Sequence, residues 1–420
     1  MPSRADSGKR ALCLAAFTVA VTACDPRRIV GDSVSFSKAG LNVRGRQFKA
    51  RRIFAIGMGK ASGAMAEALE KAVPVEAGVV AVPQGTARRF STKNIRLVES
   101  THPLPCAKSA AAARAMLALA EGVRPGDLVV SLVSGGGSAL AELPLQGISI
   151  KEMCGVSSLL MRAGAPVGEL NAVRQCLSQI KAGGLASAFH RADLVNLVIS
   201  DVVGSPLEVI ASAPTVDVKP DARRAARIIR MRGIAGTPAG RKALKVISSL
   251  DLARRPMPRI SSFVLADNDH AVDAAVGYLR CRGLNPLAIK RMQGEARTVG
   301  RNLASVVNSG ACFVAGGETV VTVRGKGRGG RCQELALAAS MRLKRGVLLA
   351  AGTDGVDGVS HAAGALVDSN TSARAEGRGL RAEEYLSRND SNTFFRRLGG
   401  SLVVTGPTGT NACDVVVGVP

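Results

Sequence analysis

Short apolar runs that end in turn residues alternate with longer segments of helical period along the first half of the chain. Arg52-Ile53-Phe54-Ala55-Ile56, Gly78 to Val82, Asp127 to Val133 and Asp193 to Ile199 each read as a short buried strand. Ala61 to Ala72 and the Ala-rich Ser109 to Ala120 read as helices. Strands that alternate with helices predict an α/β fold whose parallel sheet carries helices on both faces. Ligands collect at the carboxyl ends of strands in such sheets. The turns Gly57-Met58-Gly59-Lys60 and Ser134-Gly135-Gly136-Gly137-Ser138, and Asp201 after Ser200, fall at those ends.

The pattern changes beyond Ile199. Arg223 to Leu252 is basic and largely helical, and Pro256-Met257-Pro258 interrupts it, which predicts a linker. The expected division is residues 1–255 and 256–420. In the second part Ser262 to Ala266, Cys312 to Ala315, Gly346 to Ala351 and Leu402 to Val404 read as strands, with helices over His270 to Arg282 and Gly294 to Val307. Residues 371–392 are charged and polar and read as surface helix and loop. Thr319 to Val323, Gly325 to Gly330 and Leu335 to Ala339 read as strand, glycine-rich turn and helix. Lys326, Arg328 and Arg331 place positive charge where backbone N–H groups point outward, an arrangement that holds a phosphate or a carboxylate.

The net charge of +24 raises nucleic acid as a partner. The basic residues, however, are spread in pairs such as Arg51-Arg52, Arg88-Arg89, Arg223-Arg224 and Arg254-Arg255, and with no Trp and two Tyr there is little to stack bases on. Solvated faces and attraction for small anionic substrates fit better than specific nucleic-acid binding. The nine cysteines form no CxxC pair and read as reduced thiols, which points to the cytoplasm; four histidines make a His/Cys zinc site a poor fit. Lys9-Arg10 followed by Ala11 to Val21 and Val21-Thr22-Ala23-Cys24 has the look of a secretory leader. The apolar run is short for a membrane span, and an apolar first helix that ends before Pro26 is the preferred reading. No membrane association is expected, and the chain reads as a monomer or homodimer.

Gly57-x-Gly59-Lys60 is not a phosphate-binding P-loop, because the earlier glycine is missing and Ala61 stands where Ser or Thr would hold magnesium. It also lacks the third glycine of a dinucleotide fingerprint. Its lysine still points at the ligand end of a strand. Ser134 to Ser138 offers successive N–H donors and two hydroxyls, without the flanking spacing of a hydrolase elbow. Asp201, Glu318, Asp354 and Asp357 put hard carboxylates at strand ends, which suits a magnesium nucleotide and not a calcium EF-hand. Together with Lys60, Lys181 and Arg331, and with no evident nucleophile–base pair, this inventory fits phosphoryl transfer. That reaction needs in-line positioning and charge neutralisation above all.

In this order along the chain, several stretches resemble the MOFRL-type, two-domain, ATP-dependent glycerate 2-kinases. They are Gly57 to Ala61, Thr101-His102-Pro103-Leu104-Pro105, Ser134 to Leu140, Asn171 to Lys181, Ser200 to Gly204 and Gly294-Glu295-Ala296. Gly316 to Thr319, Gly329 to Ala336, Gly352 to Gly358 and Gly406 to Asn411 complete the series. The resemblance implies a Rossmann-like N-terminal domain, a second α/β domain with a mixed sheet, and an active site in the cleft between domains. It implies transfer of the ATP γ-phosphate to the 2-hydroxyl of D-glycerate, with Mg²⁺. By the same analogy Lys60 and Arg331 are the catalytic cations. Ser134, Gly135, Gly136, Gly137, Ser138, Lys181, Glu318 and Asn411 bind substrate or nucleotide, and Asp201 and Asp354 hold metal. A hydroxypyruvate reductase, or a non-catalytic anion- or nucleic-acid-binding protein, are the alternatives. Three positions depart from the family's pattern: Ser205 in place of Asp, and Ala182 and Ala213 in place of Gly.

Overall fold

The computed structural model describes residues 4–250 and 255–420; Leu252 and Arg254, at the end of the basic segment, lie outside them. The chain forms two compact units that are not consecutive halves. One comprises residues 26–199 and 205–265, and the other residues 1–25, 200–204 and 266–420.

The first unit opens with a small antiparallel sheet of β1 (Val34–Ser37), β2 (Gly40–Val43) and β3 (Arg46–Phe48). A six-stranded sheet follows. It contains β4 (Ile53–Met58), β5 (Val75–Pro83), β6 (Ile95–Ser100), β7 (Leu128–Ser134), β8 (Asp193–Ile199) and β9 (Ile260–Ala266) in the order β6-β5-β4-β7-β8-β9. Neighbours from β6 through β8 pair in parallel. Every residue of β4 and β7 is buried, as the Val- and Leu-rich runs require of strands covered on both faces. With β4 counted as the first strand, the order is that of a doubly wound nucleotide-binding sheet, and its topological switch point lies between β4 and β7.

The strand read at Ser262 to Ala266 as the start of a second domain instead closes this sheet beside β8. The basic segment before it forms two helices, Ala222–Met231 and Pro238–Ser248. They pack with Ile150–Arg162 and Val167–Gln175 around Val156, Leu160, Ile228, Ile229, Val246 and Ile247. Arg223, Arg224, Arg227 and Arg230 lie on the exposed side of the first of them, so part of the excess charge is a solvated helix face.

The second unit holds a mixed sheet of β10 (Leu287–Met292), β11 (Phe313–Gly317), β12 (Val347–Gly352), β13 (Gly364–Asp368), β14 (Leu402–Val403) and β15 (Asp414–Val419). The order is β10-β11-β15-β12-β13-β14, with only β10 and β11 parallel. The helix Arg4–Ala23 belongs here, as an apolar first helix of the fold. It buries Cys13, Ala16, Phe17 and Ala20, and Arg10 pairs with Asp368 at 2.7 Å. No single helix among the described residues is long and apolar enough to cross a membrane. All nine cysteines are free thiols.

One expectation fails in this unit. Thr319 to Val323 is not a strand; only Val320 forms an isolated bridge, to Glu295. Residues 371–392 form helix and loop as expected, with Arg378, Arg381, Glu383, Glu384 and Arg388 exposed, while Thr371, Ala375, Leu380, Tyr385 and Leu386 are turned inward and buried. Their sequence is polar because the helices are short and each turns one narrow face inward.

Candidate active site

Two groups of residues collect at strand ends, one in each unit. In the first unit β4 and β7 deliver their following turns side by side at the switch point. The Lys60 N–H donates to the Gly135 carbonyl at 2.9 Å, and the Ala61 N–H donates to Ser134 Oγ at 3.0 Å, so the two turns are stitched together. Gly136 has φ +81°, and a Cβ there would stand 2.9 Å from His102 Cδ2 and 3.3 Å from Lys60 Cγ. Only glycine fits that backbone and that space. Gly137–Leu140 is a single helical turn, so the N–H groups of Gly137 and Ser138 have no partner within it. The Lys60 side chain is exposed beside them. Backbone donors and one ammonium set together in this way suit an anion.

The two serine hydroxyls expected as donors are engaged within the protein. Ser134 is buried and caps Ala61, and Ser138 Oγ bonds Ser212 Oγ at 3.0 Å. Lys181, expected to bind substrate, is turned into the protein. Its side chain is 1% exposed, paired with Glu142, which is 2% exposed, and its Nζ donates to the Ser138 carbonyl at 3.0 Å. Burial pushes its ammonium pKa down, while Glu142 pulls it back up. Glu142 in turn accepts from Ser178 Oγ at 2.5 Å. Lys181 thus fixes the end of the Ser134–Ser138 turn from behind.

The departures at 182, 205 and 213 share one feature. Ala182, Ser205 and Ala213 all adopt left-handed backbone, with φ of +47°, +50° and +58°. Glycine adopts that region freely, whereas an L-residue costs about 1–2 kcal/mol there.

In the second unit the antiparallel pairing of β15 with β11 and β12 sets Asp414 opposite both Gly317 and Gly352. Glu318 and Asp354 follow those glycines closely, so three carboxylates gather at one edge of the sheet. Arg331, the first residue of the helix Arg331–Ser340, enters among them. Its Nε and Nη2 donate to Asp414 at 2.6 and 3.0 Å, and Nη1 donates to Glu318 at 2.5 Å. Burial works against the Arg331 charge, but Asp414 and Glu318 outweigh it and hold the guanidinium protonated. Burial raises the pKa of Glu318 and of Asp414; Arg331 opposes the rise and the neighbouring acids add to it. Asn411 Nδ2 donates to Asp201 Oδ2 at 3.3 Å, and Cys413 Sγ lies 3.0 Å from the Asp201 carbonyl, which brings Asp201 to the same region.

The anion expected at the glycine-rich turn is the protein's own. Asp357, buried before this helix, accepts from the N–H groups of Cys332 and Gln333 at 3.1 and 2.8 Å and from the Gln333 side chain at 2.8 Å. A Cβ on Gly330 would lie 2.2 Å from Asp357 Oδ1, and one on Gly325 2.2 Å from the Arg388 carbonyl. The glycines therefore serve close packing, and Lys326 and Arg328 are exposed outside it. Sequence reading missed Asp414 as Arg331's partner and His102 as a neighbour of Lys60. Asp414 had one usable signal, an acid at the head of the apolar run Val415 to Val419.

Among the described residues no three or more His, Cys, Asp or Glu side chains gather as a metal cage. Magnesium does not need one, since it is usually held by one or two carboxylates with water and phosphate oxygens. Asp201 and Asp354 are hard oxygen donors of that kind, and the acids around Arg331 outnumber its single positive charge.

A doubly wound sheet with backbone donors and Lys60 at its switch point, and a mixed sheet with an Arg–carboxylate cluster, define a two-unit α/β protein. Residues 12–245 match a family described as a domain of unknown function (DUF4147), and residues 311–414 match the MOFRL family. The chain is 34% identical to a glycerate 2-kinase of Pyrococcus horikoshii, covering 95% of this chain and 94% of that one. It is 38% identical to an Agrobacterium vitis protein named "Putative hydroxypyruvate reductase", over 87% and 98% of the two chains. A crystal structure of a glycerate kinase from Thermotoga maritima is similar with a TM-score of 0.86 and 32% identity, over 98% and 99% of the chains. The chain belongs to the MOFRL-type glycerate 2-kinase family.

Proposed function

We propose that this protein is a glycerate 2-kinase that transfers the γ-phosphoryl group of ATP to the 2-hydroxyl of D-glycerate, giving 2-phosphoglycerate. The observation that carries this is the Lys60 turn bound to the Ser134–Ser138 turn at the β4/β7 switch point. The identity of the Pyrococcus horikoshii relative supports it.

By the family resemblance each cluster has a role in phosphoryl transfer. The Gly137 and Ser138 N–H groups and the Lys60 ammonium receive negative oxygens and hold them in a fixed orientation. Arg331, kept charged by Asp414 and Glu318, offsets charge that develops on the migrating group. Asp201 and Asp354 would hold Mg²⁺, which supplies a divalent counter-charge to a nucleotide's phosphates. Lys181 and Asp357 touch no reacting atom and hold the two catalytic turns in shape.

Purified protein given D-glycerate, ATP and Mg²⁺ should form 2-phosphoglycerate, with the position of the phosphate read by ³¹P-coupled NMR. Lys60→Ala and Arg331→Ala should each lower kcat on the order of 10³-fold or more while the circular dichroism spectrum is unchanged. Turnover of NADH with hydroxypyruvate, and none of ATP, would assign the reductase reading instead.

A further inference from the structure

We propose that His102 is a catalytic residue, the acceptor of the proton that leaves the substrate hydroxyl as phosphate is transferred. The inference rests on the kinase reading above and adds a residue to it.

His102 follows β6 (Ile95–Ser100), the outer strand of the first sheet, and its loop returns across the sheet's ligand edge. The ring lies against the open face of Gly136, in the middle of the anion-binding turn, on the same spot that the Lys60 side chain covers. Among the described residues neither ring nitrogen has a hydrogen-bond partner, and the side chain is exposed. The exposed imidazole lies with Cδ2 and Nε2 against that glycine, so it is open to whatever the turn binds.

Its charge state suits that role. Burial first, and then the charge of Lys60, lower the His102 pKa below its ordinary value of 6.5. Lys60, from the turn after β4, is the charged group that faces the ring. The Ser134–Ser138 turn packed against it has no titratable side chain, and the nearest titratable group on its own loop is the Cys106 thiol. At neutral pH the ring is therefore uncharged and has one nitrogen able to accept a proton. The turn's N–H groups and Lys60 are donors, fit for phosphate or carboxylate oxygens. A hydroxyl is the group that needs an acceptor.

The balance is simple. The substrate oxygen forms a bond to the γ-phosphorus as the bond to the leaving diphosphate oxygen breaks. The hydroxyl proton passes to the free His102 nitrogen, and the imidazolium then gives it to water, which accounts for the one proton the reaction releases. Lys60 beside the ring speeds that return by disfavouring the charged form.

The test compares pH profiles of kcat for the wild type, His102→Gln and His102→Asn with D-glycerate and ATP. The wild type should lose activity on an acid limb that lies below pH 6.5. Both variants should fall by about 100-fold in kcat, with less than threefold change in KM for D-glycerate, and lose that limb. A variant within threefold of wild type, or one that keeps the same limb, overturns the proposal. If the wild type turns over no D-glycerate, the kinase reading fails separately. A ¹⁵N NMR titration then decides the point, which is practical with four histidines in the chain. His102 resonances that move on addition of D-glycerate uphold a hydroxyl contact, and resonances that stay fixed refute it.

Discussion

Lys181 sits behind the Ser134–Ser138 turn, with its charge engaged by a buried carboxylate. Its ammonium and the Glu142 carboxylate are both almost fully buried, so each is tolerable only because the other is there. Removing one charge strands its partner in a medium that solvates it poorly. Lys181→Met and Glu142→Gln should each cost about 3–5 kcal/mol of stability, read from chemical denaturation midpoints. The double variant Lys181→Met/Glu142→Gln should recover most of that loss, because it leaves no unpaired charge. Kinetics separate this role from a ligand role. Were Lys181 a phosphate ligand, Glu142→Gln would free its charge and tighten binding of inorganic phosphate. As a strut for the Ser138 carbonyl, the pair once broken loosens the turn, and phosphate binding weakens in both single variants.

The helix Arg331–Ser340 is held at its start by an acid from a different segment, and Arg331 owes its position to that hold. Burial raises the Asp357 pKa from 3.8 to about 6, against the hydrogen bonds from Gln333 and Cys332 that favour the carboxylate. The native state therefore binds this proton more tightly than the unfolded chain does. Asp357 contributes most to stability below pH 3.8, and that contribution is lost as pH rises through about 6. Asp357→Asn should remove this dependence, so the stability difference between wild type and variant should shrink between pH 5 and pH 7. The variant should also lower kcat more than it raises KM, since it disturbs Arg331 and leaves the Lys60 turn alone. Stability that is parallel in pH for the two proteins would refute the assignment. Element-level reading of the sequence failed at this same place. A glycine-rich basic stretch before a helix looks alike whether its N–H groups await a phosphate or are already closed by an aspartate, because the aspartate lies more than twenty residues further on.

Across the whole chain, the first sheet was largely legible, since strands buried on both faces are continuous apolar runs bounded by glycine. Arg331 was singled out behind a strand that does not form, whereas Lys60 and the Ser134–Ser138 turn were legible as charge and glycine placed at strand ends. Asp414 and His102 were not, because their meaning comes from register and loop return rather than from local pattern. Nor was the course of the chain between units, which changes unit after Asp25, Ile199, Gly204 and Leu265. The first helix makes this consequential. Arg4–Ala23 is remote in sequence from the mixed sheet, yet Phe17 is 2% exposed, and Cys13, Ala16 and Ala20 are wholly buried. Cys13 Sγ lies 3.9 Å from the Val417 carbonyl in β15, and Thr410 Oγ1 donates to the Cys24 carbonyl at 2.7 Å. A buried phenylalanine alone contributes about 1.5–3 kcal/mol, so loss of this face removes a large part of the roughly 5–15 kcal/mol that stabilises a domain. A chain begun at Pro26, as leader cleavage near Cys24 would nearly give, should lose amide protection in β12, β15 and the helix Asn268–Cys281, while β4 to β7 keep theirs. Hydrogen exchange followed by mass spectrometry reads this directly. Phe17→Asp in the full-length chain should give the same regional pattern if the shortened chain cannot be isolated. Equal loss in both sheets, or in neither, would show that the helix is not the piece that completes the second unit.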